Sequence, residues 1–151
     1  MNKKTSQRHS HQLIVLGFVL FLLGLITGLL IPLFANPRMG LSSHIEGILN
    51  GMFLILLGLV WERISLPDKL LKLNFGAAVY GTFANWFGIL FAAVFNAGGM
   101  LTIAADGKQG PQLIELIVNF SLISLSVAMI VVCILTITGL FKNKKSEAQN
   151  E

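Results

Sequence analysis

Charged side chains are scarce in this sequence of 151 residues, of which 12% are charged. A soluble domain of ordinary composition carries roughly 25% charged residues. Hydrophobic residues make up 54% of the chain, and they are collected in long runs without charge. These features exclude a soluble globular domain and indicate a chain that folds in a lipid bilayer. The length suits one domain, and no segment is polar enough to form a separate soluble module.

Cysteine and the familiar catalytic motifs are also nearly absent. The single cysteine, Cys133, excludes an intrachain disulfide and a cysteine metal cluster, and inside an apolar run it is expected to be a small buried side chain. There is no Gly-rich phosphate loop, no Ser-His-Asp order and no paired Cys/His metal motif. The formal charge of +4 does not indicate a nucleic-acid partner, because the basic residues lie at the ends of apolar runs, where they anchor membrane helices.

Four apolar segments are long enough to cross a membrane, which takes roughly 20 residues of helix. They lie at about 13–34, 44–64, 75–95 and 113–141. The sequence therefore predicts an all-α polytopic membrane protein, a four-transmembrane-helix bundle over 11–142 with disordered tails at 1–10 and 143–151. The first segment is longer than the apolar stretch of a signal peptide, roughly 7–15 residues, so it is interpreted as a retained transmembrane helix.

The basic residues predict the orientation of these helices. Nine of the eleven Lys and Arg residues lie in the two tails and in the loop between helices two and three. They are Lys3, Lys4, Arg8, Arg63, Lys69, Lys72, Lys142, Lys144 and Lys145, against Arg38 and Lys108 in the other two loops. Because cytoplasmic loops carry the excess of basic residues, both termini are predicted to be cytoplasmic, in a membrane of the bacterial inner type.

The second helix is unusually short of apolar residues. Only the 15 residues 47–61 separate Glu46 from Glu62 without a charge, and a helix of that length covers about 22 Å of the roughly 30 Å of hydrocarbon. A full span therefore draws His44, Glu46 and Asn50 into the outer end of the helix. Polar groups inside a membrane are costly and indicate a functional site.

Local signals predict where the helices begin and end. Ser42 or Ser43 is a suitable N-cap for helix two, and Ser43 with Glu46 matches the capping box. Pro37 is expected to end helix one, and Pro111 suits the first turn of helix four. Glu46 is left with two interpretations, which are a helix cap or a charge that transfers protons in a pocket.

Glycines follow His44 along one face of helix two. At about 100° per residue, Gly47 and Gly51 lie one and two turns below His44. Glycine lowers the stability of a helix by about 1 kcal/mol relative to alanine, so two glycines on one face indicate that a neighbouring group packs closely against it. Two alternatives stay open: another helix packs there, or a planar ligand such as a haem lies there, held by an axial imidazole. In helix one, Gly24 and Gly28 form a GxxxG pattern that predicts close packing.

Polar residues of helices three and four are expected at the depth of this site or near it. Asn85 lies near mid-membrane and is expected to hydrogen-bond another helix or a polar ligand. Glu115 and Asn119 lie one turn apart near the outer end of helix four, at the level of His44 and Glu46. Convergence of polar side chains in an apolar setting is typical of a ligand pocket, so the sequence predicts one there.

Three segments resemble the hydroxylaminobenzene mutase family of small membrane enzymes. They are NPRMGLSSHIEGILNGMFLILLGL (36–59), FANWFGILFAAVFNAGG (83–99) and GPQLIE (110–115). More distantly, the sequence is similar to the styrene-oxide isomerases, which share an H-x-x-x-x-x-N-G-M pattern on the second helix. Here that pattern is His44, Asn50, Gly51 and Met52, and an A-N pair of the third helix is matched by Asn85 with the alanine before it.

The resemblance implies a membrane isomerase that transfers a hydroxyl within hydroxylaminobenzene to give 2-aminophenol, a small aromatic substrate, and no nucleotide, because substrate and product are isomers. The resemblance to the isomerases also implies a trimer, haem b held by His44 and substrate oxygen held by Asn50. In the reaction that we expect, Glu46 or Glu115 transfers the proton. Asn85 and Asn119 would then contact substrate, and Gly47 and Gly51 would face the haem. The isomerase Tyr and Asp of helix three fall at Ile89 and Gly81, which argues against an epoxide substrate. An epoxide isomerase and a non-catalytic membrane subunit or transporter remain the alternatives.

Overall fold

The computed structural model describes residues 3–105, 107 and 109–147. Over these ranges the chain forms α-helices and no strand. The helices are α1 (Lys3–Leu30), α2 (Pro37–Val60), α3 (Asp68–Phe95), the short α4 (Thr102–Ala105) and α5 (Gln112–Glu147). Single 3-10 turns, Ile31–Leu33 and Trp61–Arg63, follow α1 and α2.

Four helices are long and apolar enough to cross a membrane. Their spans are Lys4–Leu33, Pro37–Arg63, Asp68–Phe95 and Gln112–Asn143. This confirms the predicted all-α membrane bundle. One end of the bundle, which we call the termini end, carries the start of α1 and the end of α5, and the opposite end carries the 31–36 connector and α4. We call the latter the α4 end.

The long helices pack mainly against their neighbours in the sequence. The contacts join α1 with α2, α2 with α3, and α3 with α5. In the described part of the chain, no residue of α2 comes within 8 Å of α5 between Cα atoms. The bundle is therefore open on one side, with α2 and α5 both resting on α3.

The first and last helices extend beyond the predicted transmembrane segments. Residues 3–10, predicted as a disordered tail, belong to α1, because the helix is held to the rest of the bundle there. The Ser10 hydroxyl donates to the Gly58 carbonyl at 2.8 Å, and the His9 ring stacks on Phe75 at 4.6 Å between centroids. Likewise α5 continues through 143–147. Lys108 and the remaining tail residues, 1–2 and 148–151, lie outside the described residues.

The start of α2 corrects the predicted capping. The helix begins at Pro37, and Asn36 is its N-cap, whose side-chain oxygen accepts from the Met39 amide at 3.2 Å. Ser43 and Ser42 lie within the helix, so the predicted N-cap, the Ser43–Glu46 capping box and the start at residue 44 are wrong. Asn followed by Pro is a strong signal for the start of a helix, and a prediction based only on the length of apolar runs misses it.

The end of α3 is tied to this start. Asn96 ends the helix in the left-handed conformation (φ 55°), which asparagine tolerates better than most residues. The Asn36 side chain donates to the Asn96 side-chain oxygen at 3.1 Å and to the Ala104 carbonyl at 3.3 Å. The connectors at the α4 end therefore form one hydrogen-bonded unit.

Two groups of buried apolar side chains fill the bundle. The group near the termini is built around Trp61, and the group at the α4 end is built around Met39, both fully buried. Cys133 is exposed, so its predicted burial is wrong. The residue lies on the open side of the bundle, where α5 faces away from its partner helix.

Candidate active site

One carboxylate gathers three of the predicted site residues. Glu46 and Asn50 lie one turn apart on α2, and α3 supplies Asn85. The Glu46 Oε2 atom accepts from the Asn50 Nδ2 atom at 3.1 Å and from the Asn85 Nδ2 atom at 2.6 Å. We call these three residues the carboxamide cluster. The prediction that Asn85 makes a hydrogen bond between helices is confirmed, and Glu46 is not a helix cap.

The cluster keeps free hydrogen-bonding atoms. Asn50 is 9% exposed, and Glu46 and Asn85 are partly buried. Within the described part of the chain, no side chain or backbone group bonds to Glu46 Oε1 or to the Oδ1 atoms of Asn50 and Asn85, and none of the three is sealed from the surface. One carboxylate oxygen and two amide oxygens therefore make no hydrogen bond to the described part of the chain.

His44 is fixed by the backbone of α1. Its Nδ1 atom lies 2.8 Å from the Gly24 carbonyl oxygen. Because a carbonyl only accepts, Nδ1 carries the hydrogen and Nε2 keeps its lone pair. Histidines that bind metals are commonly oriented in this way. A Cβ on Gly28 would lie 2.6 Å from Nδ1, so the Gly24-x-x-x-Gly28 pattern provides the space for the imidazole.

Gly47 and Gly51 face α1 rather than an open slot. A Cβ on Gly47 would lie 2.6 Å from the Gly24 Cα atom, and one on Gly51 would lie 2.7 Å from the Gly17 carbonyl oxygen. Such distances leave no room for any side chain, and none for a planar ligand between the helices. The helix-packing alternative therefore accounts for both glycines, and their assignment to a haem face is wrong for this chain's own packing. The fit of a haem rests on His44 alone.

Trp86 connects the three helices beside His44. Its indole nitrogen donates to the Thr27 hydroxyl on α1 at 3.1 Å. Its carbonyl accepts from the Ser43 hydroxyl on α2 at 3.1 Å. Trp86 and Thr27 were not predicted as site residues, although an indole N–H in an apolar helix is a signal, because such groups need a partner when buried.

Glu115 serves the connector at the α4 end. Its two carboxylate oxygens accept from the backbone amides of Gly99 at 2.9 Å and Gly110 at 2.8 Å. Asn119, one turn further on, has a buried side-chain oxygen without a partner among the described residues, and both line a shallow pocket of about 470 Å³. The structure does not bring these two residues to the carboxamide cluster. The predicted convergence fails because α5 packs on α3 and stands away from α2.

An apolar cleft opens between α2 and α5, with a volume of about 450 Å³. Its walls are apolar residues with one hydroxyl and one thiol: Phe53, Leu56, Leu57, Leu59, Val60, Cys133, Thr136 and Ile137. Glu46, Asn50, Phe53 and Leu57 are spaced by four, three and four residues, so they share one stripe of α2. None of the three cluster residues lines the cleft, but its Phe53 end lies one turn along this stripe from Asn50, and its apolar walls suit an apolar ring.

His44, which faces α1, is the one histidine among the predicted site residues. Among the described residues, no three His, Cys, Asp or Glu side chains are placed to hold a metal ion together. A site built from this chain's residues would instead use one protein ligand, which matches an axial ligand of a metal already held by a macrocycle.

Comparison with known proteins defines the class first. Residues 9–141 match the family model described as styrene oxide isomerase, and the chain belongs to that family. Two curated relatives from Ectopseudomonas oleovorans are more specific. Hydroxylaminobenzene mutase HabB is 54% identical over 132 residues, which cover 87% of this chain and 80% of HabB. Hydroxylaminobenzene mutase HabA is 45% identical over 127 residues, covering 83% and 94%. No solved structure matches the chain.

Proposed function

We propose that this protein is a membrane isomerase that converts hydroxylaminobenzene to 2-aminophenol by intramolecular hydroxyl transfer. The carboxamide cluster, one turn along α2 from the end of an apolar cleft, is the observation that carries the proposal. Identity of 54% and 45% to two hydroxylaminobenzene mutases supports it. Because substrate and product are isomers, the reaction consumes no nucleotide, oxidant or reductant.

The reaction moves one oxygen and one proton. The N–O bond breaks with its electron pair going to oxygen, a C–O bond forms at the ortho carbon, the proton on that carbon leaves, and nitrogen gains a proton. The apolar cleft keeps bulk water from trapping the electron-poor ring. Asn50 and Asn85 hold the hydroxylamine group, and Glu46 Oε1, which has no partner in the described part of the chain, takes the ring proton and returns one to nitrogen.

The roles proposed for Glu115 and Asn119 change accordingly. Both oxygens of the Glu115 carboxylate are already hydrogen-bonded to backbone amides. Glu46 is therefore the carboxylate that we assign to proton transfer. Asn119 is assigned no contact with substrate in this chain, since α5 does not approach α2 in the described residues.

Haem b is proposed as the cofactor, with His44 Nε2 as its protein ligand. The tautomer set by the Gly24 carbonyl supports this ligand role. When bound, a ferric haem supplies a Lewis acid for the departing oxygen. The test is the absorption spectrum of protein expressed with added haem. A Soret band that is lost in His44→Ala is expected, and a band that persists unchanged in this variant would refute the ligand assignment.

Topology and assembly are proposed along with the reaction. We propose that the protein lies in a bacterial inner membrane with both termini on the cytoplasmic side, because the basic residues are concentrated at the termini end of the bundle. By likeness to the isomerase family, we propose a homo-oligomer, and specifically a trimer. Reporter fusions to each terminus test the orientation, and native mass spectrometry of the detergent-solubilised protein tests the trimer.

An epoxide isomerase is the second candidate, favoured by the family match over residues 9–141. Two positions oppose it. Ile89 stands where that family has the tyrosine that orients the epoxide. Gly81 stands where that family has an aspartate, and the Met129 sulfur, 2.7 Å from a Cβ built there, occupies the place of that side chain.

The decisive experiment is incubation of membranes containing the protein with hydroxylaminobenzene alone, followed by chromatography. Formation of 2-aminophenol without added nucleotide is expected, with membranes from cells carrying an empty vector as the control. A parallel incubation with styrene oxide tests the second candidate. Unchanged substrate in both incubations, with the protein shown to be folded, would overturn the enzyme proposal in favour of a non-catalytic membrane subunit.

A further inference from the structure

The carboxamide cluster fixes the direction of two amides. An ionised carboxylate accepts hydrogen bonds and cannot donate them. Because Asn50 and Asn85 both face Glu46 Oε2, each must turn its NH2 group toward that atom. Each carbonyl oxygen then points to the opposite side of its amide. The remaining N–H of each amide stays on the nitrogen side.

We propose that Glu46, through Oε2, is a positioning residue that presents the carbonyl oxygens of Asn50 and Asn85 to the ligand as paired acceptors. These acceptors select ligands that carry N–H and O–H donors on adjacent atoms, such as arylhydroxylamines, and reject epoxides, which have no donor. This inference rests on the proposed function and deepens it, because it names the property of the substrate that the site reads.

Several observations support the pair. The two amides share one carboxylate oxygen, which keeps them next to each other. Neither Oδ1 atom has a partner among the described residues, and neither is sealed from the surface. Two carbonyl oxygens facing an epoxide oxygen would leave three acceptors without a donor. Unpaired polar groups of this kind are what make a polar site discriminate strongly against an analogue that lacks a hydrogen.

The probe is N-benzylhydroxylamine, which has both donors but cannot rearrange to an aminophenol, because its nitrogen is not attached to the ring. Its O-methyl derivative lacks the O–H donor, and its N-methyl derivative lacks the N–H donor. Binding is measured by isothermal titration calorimetry on purified protein in lipid nanodiscs. We expect each methylation to weaken binding by about tenfold, which corresponds to roughly one hydrogen bond.

Glu46→Gln tests the positioning role. A glutamine can donate as well as accept, so the two asparagine amides are released to turn. The penalty for each methylation should fall below about threefold, the scale of a lost preference rather than a lost bond. The matched control is Glu115→Gln, which removes the same charge at a carboxylate that holds only backbone amides. It should keep the tenfold penalties.

Asn85→Ala gives a second, independent test. It removes one acceptor, so it should lower the penalty for one of the two methylations and leave the other. Wild-type protein that binds all three probes equally would overturn the inference, as would a Glu46→Gln variant that keeps both penalties. Should Glu46→Gln fail to fold, Asn85→Ala still decides the matter. Turnover of hydroxylaminobenzene without discrimination refutes this inference alone, whereas discrimination without turnover refutes the proposed function alone.

Discussion

The replacement of Gly47 by alanine tests how α1 and α2 pack against each other. A Cβ at this position would lie 2.6 Å from the Gly24 Cα atom and 2.9 Å from the Trp86 Cδ1 atom. Side-chain Cβ atoms in real structures essentially never approach other atoms so closely. The first of these atoms belongs to the backbone, so it cannot be moved by a change of rotamer. The two helices must separate to accommodate the methyl group.

The magnitude follows from two opposing terms. Alanine favours a helix over glycine by about 1 kcal/mol, and overpacking of a close contact costs about 1–3 kcal/mol. The Gly24 backbone on one side and the hydrogen-bonded Trp86 indole on the other place Gly47 toward the upper part of that range, so we expect a net destabilisation of about 1–2 kcal/mol. Gly76 is the matched control, because a Cβ there would meet no atom within 4 Å. Gly76→Ala should be neutral or stabilising by up to about 1 kcal/mol.

The assay is reversible unfolding in mixed micelles as the fraction of SDS is raised, followed by circular dichroism. The two alanine variants should shift the midpoint in opposite directions, or at least Gly47→Ala should lower it alone. Equal midpoints for Gly47→Ala and wild type would refute the packing of α1 on this face of α2. Loss of a Soret band in Gly47→Ala with unchanged stability would instead indicate that Gly47 and Gly51 contact the haem.

Three further predictions concern the cap of α2, the connector held by Glu115 and the role of Asn50. Asn36→Ala should lower the free energy of unfolding by about 1–2 kcal/mol through loss of a helix cap. The Ser42 hydroxyl bonds back within its own helix, so Ser42→Ala should change that free energy by less than about 0.5 kcal/mol. SDS unfolding compares the two variants, and equal losses would contradict the reassigned cap. Glu115→Gln should leave isomerisation measurable and speed hydrogen exchange of the two glycine amides that it holds, as followed by mass spectrometry; unchanged exchange would contradict the clamp. Asn50→Ala should lower turnover more than stability, and proportional losses would make the residue structural.

The transmembrane segments could be predicted because the hydrophobic length of a helix is a property of the local sequence. The helix ends could not be placed on that basis. Asn36 and Pro37 start α2 well before the apolar run, and Asp68 starts α3 before residue 75, since a helix continues into the polar interface wherever its backbone stays hydrogen-bonded. The tail residues of α1 are helical for a different reason, which is the contact of Ser10 with α2.

The candidate site was predictable where its residues share a helix. Glu46 and Asn50 are one turn apart, so their contact follows from helical geometry. The choice between Asn85 and Glu115 as their partner depends on which helix lies beside α2. Membrane helices are apolar around their circumference, so periodicity does not identify their neighbours. For that reason the equal depth of Glu115 was mistaken for proximity. The contact of the His44 ring with α1 could have been predicted from the sequence, since Gly24 and Gly28 were already recognised as a close-packing pair.

The order of packing along the chain has a consequence for biosynthesis. A nascent membrane protein delivers its helices to the bilayer one after another, and here each long helix after α1 finds the long helix delivered immediately before it as a packing partner. The α1–α2 hairpin can close through its glycine contacts before α3 has been translated, and the partners of α5 are already in place when it arrives. No helix has to wait in lipid for a distant partner, which limits the time that the asparagines and the carboxylate of α2 and α3 spend unpaired in the membrane. The helices are synthesised in the order in which they pack in the folded protein. A chain interrupted after α3 would therefore already contain the complete carboxamide cluster.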